Sequence, residues 1–224
     1  MNDFKIRASA ASQIMTNARS KKETLSKTAQ TYCQDWATEQ LYGRRKEFSS
    51  KYTDKGNIVE QDAADFYAEQ RGYSMLIINT DHYTNSKMMG TPDLILKDKI
   101  IDIKSSWSAY TFPLFETEPP AAYYWQAQVY MHLLGIHNFD LAYLLMDTPR
   151  HLIERECFWH CQKNGIEYND TIQQQFTDKM TFGGIAPELR IKTFNIAYDA
   201  SKIELLEQRV DECRIYINEL LKTI

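Results

Sequence analysis

The sequence predicts an α/β protein: a central mixed β-sheet flanked by helices, with a long helix at the C-terminus. Three observations predict it. Segments of helical period alternate with strand-length apolar runs in the order helix, strands, helix, strand, a succession that packs helices on a sheet. Residues 94–104, LILKDKIIDIK, read as a hairpin whose side chains alternate across a pleat. Ile203, Leu206, Val210, Cys213, Ile217, Leu220 and Leu221 recur at helical spacing and mark a long amphipathic helix after Asp199.

Taken in order, residues 8–19 read as a short helix with Ser9 or Ser12 as cap, and residues 27–42 as a second. A third is capped by Asp54 or Asn57 and closes before Gly72, a natural residue to follow a helix. On it Glu60, Ala63, Ala64 and Tyr67 share one face, so Glu60 points along the small, buried side; the alternative is a surface or capping acid. YSMLIINT, residues 73–80, reads as a strand and precedes the hairpin. A helix then opens at Pro119 or Pro120 and closes at Gly135, followed by a strand in FDLAYLLMDT. Residues 151–198 carry a mixed pattern.

A chain of 224 residues can bury a sizeable core as one domain, here a core over about residues 5–146 with a C-terminal elaboration over 147–224. Composition is that of a globular protein, 43% hydrophobic and 25% charged. No apolar run approaches the roughly 18 residues of a membrane span, and the N-terminus lacks the apolar stretch of a signal peptide. The expectation is a soluble cytoplasmic protein with no membrane partner. Cys33, Cys157, Cys161 and Cys213 are widely scattered and read as reduced structural thiols. The sharper alternative, a metal or iron–sulfur site on Cys157 and Cys161 with His160 between them, matches no zinc spacing. The histidines form no HExxH pair, so a zinc hydrolase is unsupported.

Net charge is −4 but uneven: residues 1–60 hold 11 Lys or Arg against 7 Asp or Glu, and the remainder 15 against 23. Lys21 and Lys22, then Arg44, Arg45 and Lys46, form clusters that can track a phosphate backbone or simply coat a solvated helix.

The hairpin poses the chemical question. With Asp98 and Lys99 as a two-residue turn, Lys97 pairs with Ile100, Ile95 with Asp102 and Asp93 with Lys104. Asp93, Asp102 and Lys104 then share one face, while Leu94, Leu96, Ile101 and Ile103 supply the core from the other. Two adjacent carboxylates repel unless a proton or cation intervenes, and one lysine cannot neutralise both. A divalent ion such as Mg²⁺ or Mn²⁺ on carboxylate oxygens, with Glu60 as a third ligand, is one solution. A buried ion pair beside one exposed acid is the other.

Pro92-Asp93 followed by Asp102-Ile103-Lys104 resembles the signature of the PD-(D/E)xK nuclease superfamily. Upstream, KGNIVEQDAADFY resembles the G…E helix of phage recombination exonucleases of the lambda exonuclease and YqaJ type. Downstream, YYWQAQVYMHLLG resembles their Q-x-Q helix, and Gln126 with Tyr130 fits the Q-x-x-x-Y element of RecB-like nucleases. ASAASQIM resembles their opening helix, and these elements follow one another in family order over roughly residues 5–146.

The resemblance implies a restriction-endonuclease-like core and a Mg²⁺-dependent (alternatively Mn²⁺-dependent) 5′→3′ exonuclease on double-stranded DNA. It implies Asp93, Asp102, the Ile103 carbonyl and Glu60 as metal ligands, and Lys104 as the residue that orients the attacking water. It implies that Gln126, Gln128 and Tyr130 contact DNA or order the site. Ser12, Thr91, Gln128 and Arg7 (or Lys5) would bind a 5′-phosphate, although the spacing to the basic residue departs from the family. Asp102 also stands where lambda-type members carry Glu. A single-strand annealing partner and a trimeric ring are further family expectations. Tyr123, Tyr124 and Trp125 read as core aromatics. Because Gln126 and Gln128 are two positions apart, they cannot face the same way on a helix. The rivals are an endonuclease on the same core and a catalytically silent DNA-binding protein.

Overall fold

The computed structural model describes residues 3–46 and 50–223. A four-stranded sheet lies at its centre: β4 (Leu94–Ile95), β5 (Ile100–Ser105), β6 (Asn138–Leu144) and β7 (Ile191–Ala197), in that spatial order. β5 and β6 run parallel, and the two outer pairs are antiparallel. A smaller sheet sets β3 (Met88–Gly90) between β1 (Ile6–Arg7) and β2 (Tyr83–Thr84).

Side-chain alternation along β5 and β6 builds a core on each face. Ile100, Phe139 and Leu141 face α1 (Ala11–Ile14), α2 (Lys27–Tyr42), α5 (Ala121–Leu134) and α8 (Ala200–Leu221). Ile101, Ile103, Ala142 and Leu144 face the opposite way, onto Ala63, Ala64 and Tyr67 of α4 (Glu60–Arg71). The small-residue face expected of that helix is therefore its buried face. α3 (Lys51–Ile58) precedes it, and α6 (Arg150–Asn164) pairs with α7 (Asp170–Met180) beside the sheet.

α2, α5 and α8 follow the sequence expectation. α5 closes at Gly135 with φ of 67°, the left-handed region where glycine has no Cβ penalty. Three expectations change. The helix read over 8–19 is a 3₁₀ turn plus α1, ending at Ile14, and neither Ser9 nor Ser12 caps it. Thr16 instead bonds the Gln13 carbonyl and the Ser26 hydroxyl, a local alternative to continuing the helix. The helix expected to start at Asp54 or Asn57 is two helices, α3 capped by the Ser50 side chain and α4 following Val59.

Residues 73–80 form no strand. Leu76 is buried while Met75 and Ile77 are exposed, and Asn79 N–H to the Asp93 carbonyl (2.7 Å) ties the segment to the sheet edge. β7, which closes the other edge, lies in the stretch that showed no clear period. All four cysteines are free and buried. No helix among the described residues is long and apolar enough to cross a membrane.

Candidate active site

The hairpin carries its acids in a register the sequence did not specify. Leu94 pairs with Ile101 and Ile95 with Ile100. The loop therefore spans Leu96 to Lys99, closed by Leu96 N–H on the Lys99 carbonyl at 2.8 Å, rather than a two-residue turn at Asp98-Lys99. The shift is two residues, so every side chain keeps the face expected of it. What changes is the partner: extended by one residue, the register sets Asp93 across from Asp102, not from Lys104.

Asp102 is buried, at 1% exposure. Gln126 Nε2 donates to its Oδ1 at 3.2 Å. Lys104 Nζ lies 2.5 Å from Oδ2, a charge-assisted pair. Asp93 Oδ2 accepts from the Ile103 amide at 2.9 Å. Burial, reinforced by Asp93 and opposed by Lys104, pushes the Asp102 carboxyl above the usual carboxylate range. Burial alone would lower the Lys104 ammonium, but Asp102 and Asp93 hold it above its ordinary range, so it stays charged. Burial and then Asp93 raise Glu60, with Lys104 opposing.

Behind the acids is a relay of hydrogen bonds. Gln126 Nε2 also donates to the Tyr130 hydroxyl at 3.1 Å, and that hydroxyl donates to the Thr91 carbonyl at 3.0 Å. The segment leading into Asp93 is thus tied to α5, whose Gln126 holds Asp102. Gly90 makes the approach possible, because a Cβ there would lie 2.5 Å from Tyr130 Cε1 and 2.9 Å from the Ala8 Cβ.

An open cleft of about 620 Å³ runs over this face, with Glu60, Asp93, Lys104, Tyr123 and Gln126 in its wall. It continues past Ser106 to the first turn of α3. Tyr123, half-buried against the main core, also sets its ring 5.2 Å from Lys104 Nζ. Gln126 and Tyr130 order Asp102 and Thr91 rather than reach outward. Gln128 corrects the DNA-contact expectation: it is fully buried on the opposite face of α5, donating to the Ala197 carbonyl and accepting from Asp199 N–H, both at 2.8 Å. Arg7 is engaged by Glu39 at 2.7 Å, and the Thr91 hydroxyl contacts His82 at 3.2 Å. Ser9, not Ser12, lines the cleft. Lys46 pairs with Asp35, while Lys21, Lys22, Arg44 and Arg45 are exposed.

Sequence reasoning passed over Ser106 and Lys55 and read Ser9 only as a helix cap. Ser106 was findable, since it continues the parity of Asp102 and Lys104. Lys55 was not. It is a fully buried lysine on α3 whose Nζ donates to the Ser106 carbonyl at 2.7 Å, and nothing local marks it. Burial lowers it to about 8, with Asp147 partly opposing.

The donor set suits a hard cation: carboxylates and a backbone carbonyl, with Asp102 Oδ2 facing a cationic group already. Among the described residues no three His, Cys, Asp or Glu side chains form a ready metal cage. Asp93, Asp102 and Glu60 are thus not drawn together as three ligands, as expected for acids that repel without a cation between them. Lys104 stands against Asp102 in a cation's stead.

A family model described as the YqaJ-like viral recombinase domain matches residues 4–137. Among solved structures, a phage related exonuclease from Haemophilus somnus 129PT superposes with a TM-score of 0.82 at 26% identity, covering 99% of this chain and 97% of that one. An alkaline exonuclease from Laribacter hongkongensis shares the fold, with a TM-score of 0.64 at 17% identity over 98% of this chain and 92% of that one. The same enzyme in complex with dAMP matches similarly, at 19% identity. No curated protein matches the chain significantly in sequence.

Proposed function

Because the chain belongs to the YqaJ-like viral recombinase family, we propose that it is a metal-dependent deoxyribonuclease that degrades duplex DNA from the 5′ end. The observation that carries the reading is Asp93, just before β4 and bonded to the Ile103 amide, set beside Asp102 of β5, with Lys104 paired to Asp102 at the wall of an open cleft. Likeness to a phage related exonuclease over nearly the whole chain supports it.

Asp93, Asp102 and the Ile103 carbonyl would hold a divalent ion, Mg²⁺ or Mn²⁺, with Glu60 at its border. When bound, such an ion supplies charge neutralisation at the phosphate and a more acidic water. Gln126 keeps Asp102 Oδ1 fixed. Lys104 would hold positive charge where negative charge grows on the phosphate. By the same resemblance, Ser12 and Thr91, with Arg7 (or Lys5) as the cation, would receive the terminal 5′-phosphate. A single-strand annealing partner and a trimeric assembly belong to the same reading.

The test is digestion of linear duplex DNA with and without a 5′-phosphate, beside a covalently closed circle, in Mg²⁺, with Lys104→Ala in parallel. Degradation of the phosphorylated linear duplex alone, abolished in the variant, is expected. Cutting of the circle would move the protein to the endonuclease reading. Cleavage independent of Lys104, or none in Mg²⁺ or Mn²⁺, would overturn the proposal.

A further inference from the structure

One buried polar group at the cleft has no partner and no role in the chemistry above. Ser106 is 6% exposed, and its Oγ makes no hydrogen bond. Leaving a hydroxyl unpaired and away from water costs roughly 1–3 kcal/mol, so such a group calls for an explanation. Its backbone does not supply one. Ser106 N–H extends the β5–β6 ladder to the Leu144 carbonyl at 2.8 Å, and the Ser106 carbonyl takes the Lys55 ammonium.

Its position is informative. Because the ladder continues through it, the pleat does too, and Asp102, Lys104 and Ser106 fall on one face at successive steps of about 7 Å. Neighbouring phosphates along a nucleic-acid strand are spaced comparably. The cleft that holds Asp93 and Lys104 also runs past Ser106 to Ser50, Tyr52 and Thr53. Ser50 caps α3 and Tyr52 and Thr53 lie in its first turn, with Ser50 Oγ accepting from Thr53 N–H at 3.2 Å. The Lys51 and Tyr52 amides precede the first intrahelical bond and aim the positive end of the helix dipole outward. A hydroxyl lacking an acceptor, a helix N-terminus and a lysine ammonium behind the same residue form surroundings for an oxyanion.

We propose that Ser106 and the first turn of α3 bind a second, non-scissile phosphodiester of the DNA strand being cut, with Ser106 Oγ donating to a phosphate oxygen. The proposal rests on the nuclease reading and adds to it a contact that sets the strand's path beyond the reacting phosphate.

Binding isolates this contact from hydrolysis. Duplex oligonucleotides carrying one uncharged methylphosphonate at successive backbone positions are titrated by fluorescence anisotropy in EDTA, against wild type, Ser106→Ala and Ser106→Thr. In wild type and Ser106→Thr, one position besides the scissile one should weaken binding about 10-fold, the effect of losing a hydrogen bond to a charged group. In Ser106→Ala that penalty should vanish while the others remain. The melting temperature of Ser106→Ala should be unchanged or raised, because Oγ has no partner to lose; a marked fall would show that the hydroxyl serves the fold instead. Parallel penalty profiles for wild type and Ser106→Ala would overturn the proposal even if wild type hydrolyses DNA. Wild type that binds no DNA would overturn it together with the nuclease reading.

Discussion

Lys104 determines how Asp102 behaves. A carboxylate at 1% exposure beside a second acid is tolerable in its charged form only with a cation at hand, and the ammonium 2.5 Å away is that cation. Lys104→Ala should therefore lower hydrolysis by about 10²–10³ in a nucleotide-release assay. DNA affinity measured in EDTA should move far less. Gly90→Ala should push Tyr130 off the Thr91 carbonyl, costing about 1–3 kcal/mol in urea denaturation and lowering kcat, because Gly90 faces a ring and the Ala8 methyl that cannot both yield. Lys55 gives a pH signature. Its ordinary value is 10.5 and in the fold about 8, so between these the unfolded chain holds a proton the folded chain has released. Stability then rises with pH across that window. Relative to Lys55→Met, wild type should gain about 2 kcal/mol between about pH 7 and about pH 9.5, read from paired urea titrations. Asp93, Asp102 and Lys104 were legible in the sequence because strand parity survives a two-residue error in register. Lys55 was not, because its burial comes from β5 arriving over α3.

At the scale of elements, α5 shows what periodicity does and does not say. Spacing alone separated Gln126 from Gln128, but only packing shows which one faces the site. Gln128 joins α5 to the end of β7 and the start of α8 through Ala197 and Asp199. Gln128→Met should lower stability by about 1–3 kcal/mol, since it strands a buried carbonyl and an amide, while leaving KM for DNA unchanged. A raised KM with intact stability would return Gln128 to the DNA interface. The 73–80 segment shows the opposite lesson. Its apolar run fits a strand, yet pairing depends on a neighbour, and the chain there meets the sheet edge at the Asn79 amide bond to Asp93.

At the scale of the molecule, the C-terminal segment is part of the main core. β7 supplies a sheet edge, and Leu206, Val210, Cys213 and Ile217 share one cluster with Phe4, Ile14 and Cys33. Removing residues 200–224 should leave that face of α2 uncovered and the chain unable to fold, seen as loss of soluble protein and of a cooperative melt; a folded, active truncation would show α8 to be dispensable. The sequence by itself determined the α/β class, the helices α2, α5 and α8, and the acids and lysine on one strand face, because these depend on local period, capping and pleat parity. Tertiary structure alone decided the facing of Asp93 and Asp102, the turning away of Gln128, the place of β7 and the meeting of Ser106 with Lys55. Each of those depends on which distant segments pair, and the pairing is set by the summed burial of the two cores, not by any signal within one segment.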